Sequence, residues 1–519
     1  MKIYTQRANI SFVVMLCLWV LCFPDAPAAA QSASPLDGER QSAIDSHITQ
    51  LMTNYNIPGL ALGIVEANQV IYLRGYGVAD SSGRTVTPQT PFFLASLSKS
   101  FTGVAIMQLV EAGQVELDAP VQRYLPWFQL ADAEAAARIT IADLLYQRSG
   151  LSGYDGQVDI FDGDQSAAAL ENGVRKLRQA ALVHPPGTAF EYTNSNYDIL
   201  GLVVQTVSEQ PYEDYIQQHI YDPLDMKHAT SSTHFAEAQA DGMSAGFVSF
   251  FGRMIERETL FSRHSVASAG LIASADDLTH YIIAQLNDGQ YQGEPILSAE
   301  DIRQTHIPGS MMDKLGGYAM GWGSRPITEA AKREDGDYRA PLMILHQGGW
   351  ANFRSVIILV PRERLGIVAL MNAANFEQDS AFFHPAYDTA LLMLGINPPP
   401  VEFDEDLLTQ NARFINGVVL ILMVGLLLHS LLILRRWRRG ERPMGLKRWR
   451  AVLLPLVWDA VVVLVYVGII PQVYQSPFIN NLIATPDYGI VVGIIVGIAV
   501  VWGAVRTALF MQAWLRRPT

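Results

Sequence analysis

Three apolar runs near the C-terminal end, at 414–434, 451–470 and 489–510, set the first constraint on this 519-residue chain. Each is about 20 residues or longer, which as helix covers about 30 Å, the depth of a bilayer's hydrocarbon core. Backbone amides in lipid must pair within their own segment, so these runs can only be helices there. The first connection, Arg435 to Arg450, holds eight Lys/Arg, while the second, Pro471 to Tyr488, holds none. By the positive-inside rule the first loop is cytoplasmic, which puts the second loop and everything before 414 outside, and Thr519 inside.

The N-terminus agrees. Lys2 and Arg7 precede an apolar run from Ile10 to Phe23 and then Ala28-Ala29-Ala30, the order of a secretory signal peptide. Residues 1–30 are therefore expected to be a signal peptide, 31–397 a globular body, 398–413 a linker through Pro398-Pro399-Pro400, and 414–519 a membrane region. Both cysteines, Cys17 and Cys22, lie in the leader, so a mature chain would have neither disulfide nor thiol chemistry. Charge divides the same way. Residues 412–519 carry 12 Lys/Arg against 3 Asp/Glu, while 31–411 carry 23 against 46. An acidic body of this kind argues against nucleic acid as a partner; a lipid bilayer is the partner expected of the basic, apolar end.

Within the body, one helix stands out. The stretch Phe92 to Val110, stopping at Gly113, is apolar nearly all round and so should be buried. Ser96 and Lys99 lie i, i+3 in its first turn and share a face. A lysine there is costly unless it has a partner or a lowered pKa, and a neutral, desolvated lysine is a base able to take the serine proton. Around this helix, residues 40–56 read as an amphipathic helix, and Gly59–Val65 with Gln69–Tyr76 as a hairpin. The region 155–290 reads as mostly helical. Strands resume at 317–323, 343–347, 353–360 and 366–372, and a helix near 381–394 closes the body. Strands at both ends with helices between them predict an α/β (α+β) fold: an antiparallel sheet flanked by helices with an inserted all-helical domain.

Two further pieces are candidates for the same site. Tyr192 and Asn194 are spaced i, i+2, so a loop can present both to one pocket. His346-Gln347-Gly348-Gly349 ends an apolar strand, and glycines there let a backbone approach the strand edge. Ser-x-x-Lys, Tyr-x-Asn and His-x-Gly, in this order, resemble the three motifs of the penicillin-recognising serine hydrolases. The likeness is nearest to the class C β-lactamase-like family, with its low-molecular-weight penicillin-binding proteins, D-aminopeptidases and esterases. It extends over about 40–395 through Asp143-Leu144-Leu145, Ser149-Gly150-Leu151, Pro186-Gly187-Thr188, Pro223-Leu224-Asp225-Met226, Ala269-Gly270-Leu271 and Asp276-Asp277-Leu278.

The resemblance implies Ser96 as acylated nucleophile, Lys99 as its base and Tyr192 as an aid to proton transfer. Asn194, His346 and Gly348 would bind substrate, and the N–H groups of Ser96 and Gly349 would form an oxyanion hole. No metal or other cofactor is expected. Where many relatives carry Lys-Thr-Gly to receive a substrate carboxylate, this chain has His346-Gln347-Gly348, which shifts weight from β-lactam hydrolysis toward peptidase or esterase work. With an ordinary pKa of about 6.5, His346 would be partly charged near neutrality and would favour anionic substrates as pH falls. The activity implied is that of a membrane-tethered extracytoplasmic hydrolase of amides or esters, with D-amino-acid-containing cell-wall peptides as substrate class and peptidoglycan as a partner. An esterase is the enzyme alternative. A sensor that acylates without turnover is the rival of another class, against which the short loops between the three helices argue. Asp459, within the second apolar run, is expected to pair with His429 or Arg506.

Overall fold

The computed structural model describes residues 36–332, 340–400, 411–439 and 450–508. The expected signal peptide with both cysteines, Thr519, residues 401–410 of the linker and most of the basic loop lie outside these.

Helix α1 (Gly38–Tyr55) begins at Asp37, whose carboxylate accepts from the Arg40 N–H, and ends at Asn56 in the left-handed region. Strands β1 (Gly59–Glu66) and β2 (Gln69–Gly77) follow. Ala67 and Asn68 between them both have positive φ, 50° and 66°. That is the primed two-residue turn whose twist matches an antiparallel hairpin. Strands β3 (Ser310–Met311), β4 (Gly317–Tyr318), β5 (Gly323–Pro326), β6 (Leu342–Gly349), β7 (Arg354–Val360) and β8 (Leu365–Met371) complete one eight-stranded sheet. Its order is β3-β4-β5-β6-β7-β8-β1-β2, antiparallel at each pairing.

The sheet is covered on both faces, which explains why β8 is apolar at nearly every position rather than at alternate ones. Ile367, Ala369 and Met371 pack with Ile44, Ile48 and Leu51 of α1 and with Ala386 and Leu391 of the helix that closes the body. Val368 and Leu370 point the other way, into the larger core. That core is built on α2 (Ser98–Glu111), α3 (Asn194–Ser208) and α4 (Ala275–Leu286); α5 is His384–Met393. Helix α4 lies directly on the sheet at Gly366, where a Cβ would come within 2.2 Å of Ile282.

Two expectations are corrected. The stretch 317–323 is not one strand: it breaks between β4 and β5 at Gly321, φ +81°, where a Cβ would come within 2.5 Å of the Lys99 carbonyl. The passage of α2 forces the break. The inserted region is not all helical either. It contains the hairpin Gly246–Phe250 with Arg253–Arg257, and Leu271–Ala273 pairs with both Phe92–Phe93 and Thr230–Ser231. Apart from the five-residue strands of the hairpin, these strands have two or three residues and are too short to leave a period in the sequence.

Beyond the body come α6 (Ala412–Arg438), α7 (Arg450–Val463, continuing helically to Val473), α8 (Phe478–Ala484) and α9 (Pro486–Gly497, continuing to Ala508). Three stretches, Phe414–Ile433, Leu456–Val473 and Pro486–Ala508, are long and apolar enough to cross a membrane. Met423, Val462, Tyr466, Val492, Ile495 and Ala499 form their shared core, and the Tyr466 hydroxyl donates to Asn416 Oδ1. Asp459 pairs with Arg506, of the two partners considered, and both are buried. Gly503 makes the room: a Cβ there would stand 3.1 Å from the Asp459 carboxylate.

Candidate active site

The chain reaches Ser96 along Phe92–Phe93 and turns at Ala95, which has φ +49°. The left-handed conformation costs an alanine about 1–2 kcal/mol, so its surroundings must impose it. They do so through Leu94: its N–H donates to the Leu271 carbonyl at 2.9 Å, and its carbonyl accepts from Ser355 Oγ at 2.6 Å. Gly348 of β6 presses on the same carbonyl, to which a Cβ would come within 2.0 Å. The space on the Cα of Gly348 is therefore filled by the turn that carries Ser96, so no larger residue fits there. Ser96 itself belongs to a single 3₁₀ turn, Ala95–Leu97, ahead of α2 and not inside it. In a 3₁₀ turn residues i and i+3 eclipse, so the hydroxyl and the lysine still align.

Lys99 is completely buried. Its Nζ lies 3.2 Å from Ser96 Oγ, donates to Asn194 Oδ1 at 2.7 Å and to the Ser268 carbonyl at 2.9 Å, and stands 4.9 Å from the centroid of the Tyr192 ring. Asn194 opens α3, and its amide nitrogen donates to the Gly156 carbonyl at 3.1 Å, so both ends of the side chain are engaged within the protein. Asn194 thus orients the lysine. Gln147 anchors the segment carrying Tyr192 and Asn194: its carbonyl accepts from the Glu191 N–H, and its side-chain oxygen from the Thr193 N–H and Asn196 Nδ2. That is the structural work of the stretch around Ser149-Gly150-Leu151.

His346 is buried on β6. Its Nδ1 lies 2.7 Å from the Gln347 carbonyl and its Nε2 3.3 Å from the Tyr318 hydroxyl. A carbonyl can only accept, so Nδ1 carries the proton and Nε2 accepts from Tyr318. Burial, and after it the charge of Lys99, push the imidazole pKa down to about 3, against a smaller upward pull from the Gln347 carbonyl. The expected half-charged histidine is thus a neutral one, because the strand position that brings it to the site also removes it from water.

A cleft of about 290 Å³ opens beside these groups, lined by Ser96, Tyr192, Asn194 and Gly349. Arg354, also in its lining, is held by the Asp379 carboxylate, with Nε to Oδ1 at 2.7 Å. Residues 476–488 contribute to another part of the wall. Sequence reasoning missed Ser268 and Tyr318. Ser268 acts through a backbone carbonyl, which any residue type supplies. Tyr318 stood in an expected strand with nothing to mark it from other apolar positions.

A family model described as Beta-lactamase matches residues 44–386, about two thirds of the chain. The chain belongs to the beta-lactamase family. The family is one of serine hydrolases. The chain is similar to protein flp of Staphylococcus aureus, 30% identical over 343 residues that cover 65% of this chain and 64% of that protein. Unguisins hydrolase ungD of Aspergillus violaceofuscus is 24% identical over 374 residues, 67% of this chain and 63% of that one. The match thus spans less than two thirds of the length of these curated relatives. Among solved structures, the octameric penicillin-binding protein homologue from Pyrococcus abyssi superposes with a TM-score of 0.59 at 24% identity, over 69% of this chain and 78% of that one. EstCE1, titled a hydrolase with promiscuous acyltransferase activity, gives 0.55 at 22% identity, over 64% and 94%. These neighbours share the beta-lactamase-family fold; they do not specify a substrate.

Proposed function

We propose that the chain is a membrane-tethered extracytoplasmic hydrolase that cleaves amide or ester bonds through an acyl-enzyme at Ser96. The observation that carries this is the burial of Lys99 in an apolar helix with Nζ 3.2 Å from the Ser96 hydroxyl. Ser96 Oγ adds to the substrate carbonyl carbon while its proton passes to Lys99 Nζ. Collapse of the tetrahedral adduct expels the amine or alkoxide, which takes up a proton with Tyr192 assisting. Water then attacks the ester and frees the acid. The Ser96 and Gly349 N–H groups are assigned to the oxyanion.

D-amino-acid-containing cell-wall peptides are the favoured substrates, with the free carboxylate distant from the scissile bond. Neutral His346 supports the distant carboxylate, as does Arg354, whose charge is already matched by Asp379, while the D-residue rests on the motif resemblance. The same observations favour an uncharged ester as the second reading. Kinetics on D-amino-acid amides, D-Ala-D-Ala peptides, a cephalosporin and short esters decide between them: the amides or esters should turn over and exceed the D-Ala-D-Ala acids. Ser96→Ala should abolish fluorophosphonate labelling and Lys99→Ala should slow it by about 10²–10⁴; labelling retained on another residue removes the proposal. For the orientation, a reporter fused after Thr519 should behave as cytoplasmic and one near Ser476 as external, and the reverse refutes it.

A further inference from the structure

We propose that the connection between the second and third apolar helices is a wall of the substrate site, so that the membrane region selects substrate as well as tethering the hydrolase. This rests on the reading of Ser96 as nucleophile. Ser476, Asn480, Ala484, Thr485, Asp487 and Tyr488 line the same cleft as Ser96, Tyr192 and Asn194. Four polar contacts seat the segment. Gln475 Nε2 donates to Glu191 Oε1 at 2.9 Å, beside Tyr192, and Asn480 Nδ2 donates to the Gln157 carbonyl at 2.6 Å. Gln157 follows Gly156, whose carbonyl receives Asn194. Arg257 donates to the Ile483 carbonyl, and the Phe251 N–H donates to Asp487 Oδ2 at 2.9 Å.

Asn480 and Asp487 are only 4% and 5% exposed. A buried amide or carboxylate is costly unless it is paired; here Gln157 and Phe251 of the body supply a partner to Asn480 and to Asp487 Oδ2, while Asp487 Oδ1 accepts from the Tyr488 N–H. The fit is also steric: Gly153 passes so close that a Cβ would stand 1.9 Å from Gln475 Oε1. Two of the four anchors act next to Tyr192 and Asn194, so the wall is tied to the reacting groups.

Asp487 and Tyr488 lie in the first turn of the stretch Pro486–Ala508. With a rise of about 1.5 Å per residue, Tyr488 sits roughly 3 Å along the helix from Pro486, at head-group depth, where tyrosine is favoured. The cleft therefore opens at the membrane surface between the body and this connection. The substrate class that fits is a compact amide or ester presented there, with little length to spare on the side that meets the 476–488 segment.

The test uses the full chain in vesicles, with p-nitrophenyl esters lengthened on the acyl side and a second ester series lengthened in the leaving group. Ala484→Phe should lower the long-to-short ratio of kcat/KM in one series by at least about tenfold. Val473→Phe, at an exposed position outside the cleft lining, should leave both ratios unchanged. Separately, Gln157→Cys with Asn480→Cys, in a chain whose Cys17 and Cys22 are serine, should be joined by a short bis-maleimide, read after protease cleavage in the 401–410 linker. Absence of the cross-link, or ratios that Ala484→Phe does not move, overturns the wall. Failure of fluorophosphonate to label Ser96 in the native chain would sink the nucleophile instead, while the cross-link still reports on the wall.

Discussion

Asn194 Oδ1 accepts from Lys99 Nζ at 2.7 Å, closer than the 3.2 Å that separates the same nitrogen from Ser96 Oγ. The amide thereby fixes where the lysine can reach. Asn194→Ala should lower the rate of Ser96 acylation about a hundredfold through misplacement of the base, without loss of folding. Asn194→Asp, which sets a carboxylate beside the amine in place of a neutral amide, should fall further. Stopped-flow acylation rates measure both, and a native rate in either variant would show that Asn194 does not set the position of the base.

His346, with its pKa held near 3, stays neutral across the working range. The kcat/KM ratio of a substrate carrying a carboxylate beside the scissile bond to its neutral amide should therefore stay flat from about pH 5.5 to 8.5. A ratio that climbs several-fold toward the acid end would mean that the imidazole takes a proton there. His346→Lys would bury a second amine beside Lys99 and is expected to slow acylation of neutral substrates.

Asp198 gives a pH effect on stability. Burial pushes its carboxyl up to about 7, opposed by hydrogen bonding with Ser268 and by the charge of Lys99. An unfolded aspartate titrates near 3.9. The folded state thus keeps a proton that the unfolded state has lost, so this group's stabilisation is complete below about 4 and disappears as pH rises to about 7. The slope per group is at most about 1.4 kcal/mol per pH unit. Asp198→Asn should match the native chain in thermal melts near pH 4 and exceed it at pH 8. Equal gains at both values would show that the carboxyl is ionised throughout.

In the membrane region, Arg506→Met should leave Asp459 as an unpaired carboxylate and destabilise the bundle by a few kcal/mol, on the order of 3. Asp459→Asn with Arg506→Met together should cost less than Arg506→Met alone. Denaturation of the full chain in mixed micelles measures both. Additive losses would mean that the two residues do not act as a pair.

The parts legible in the sequence were those with a long period or a strong local rule. Leu60, Leu62 and Ile64 announced a strand, the order of Ser96, Lys99, Tyr192 and Asn194 pointed to one constellation, and the apolar run around Asp459 implied a charged partner. What escaped depended on tertiary placement. The neutrality of His346 follows from burial, which a residue letter does not carry. Lys99 leans on the Ser268 backbone, and Gly348 makes room for Leu94, contacts set by how separate segments cross. Gln475 to Tyr488 read as a plain connection because its polar residues find their partners more than 200 positions away.

The seating of Asn480 and Asp487 against the hydrolase body bears on how inhibitors of such a chain are found. A soluble fragment ending before Ala412 would show a compound library an open trench with six of its lining side chains gone. Hits ranked on that fragment would grow into volume that Ala484 and Tyr488 already occupy, and their order would not carry over to the intact chain. Screening belongs on the membrane-embedded protein, where the pocket has all its sides.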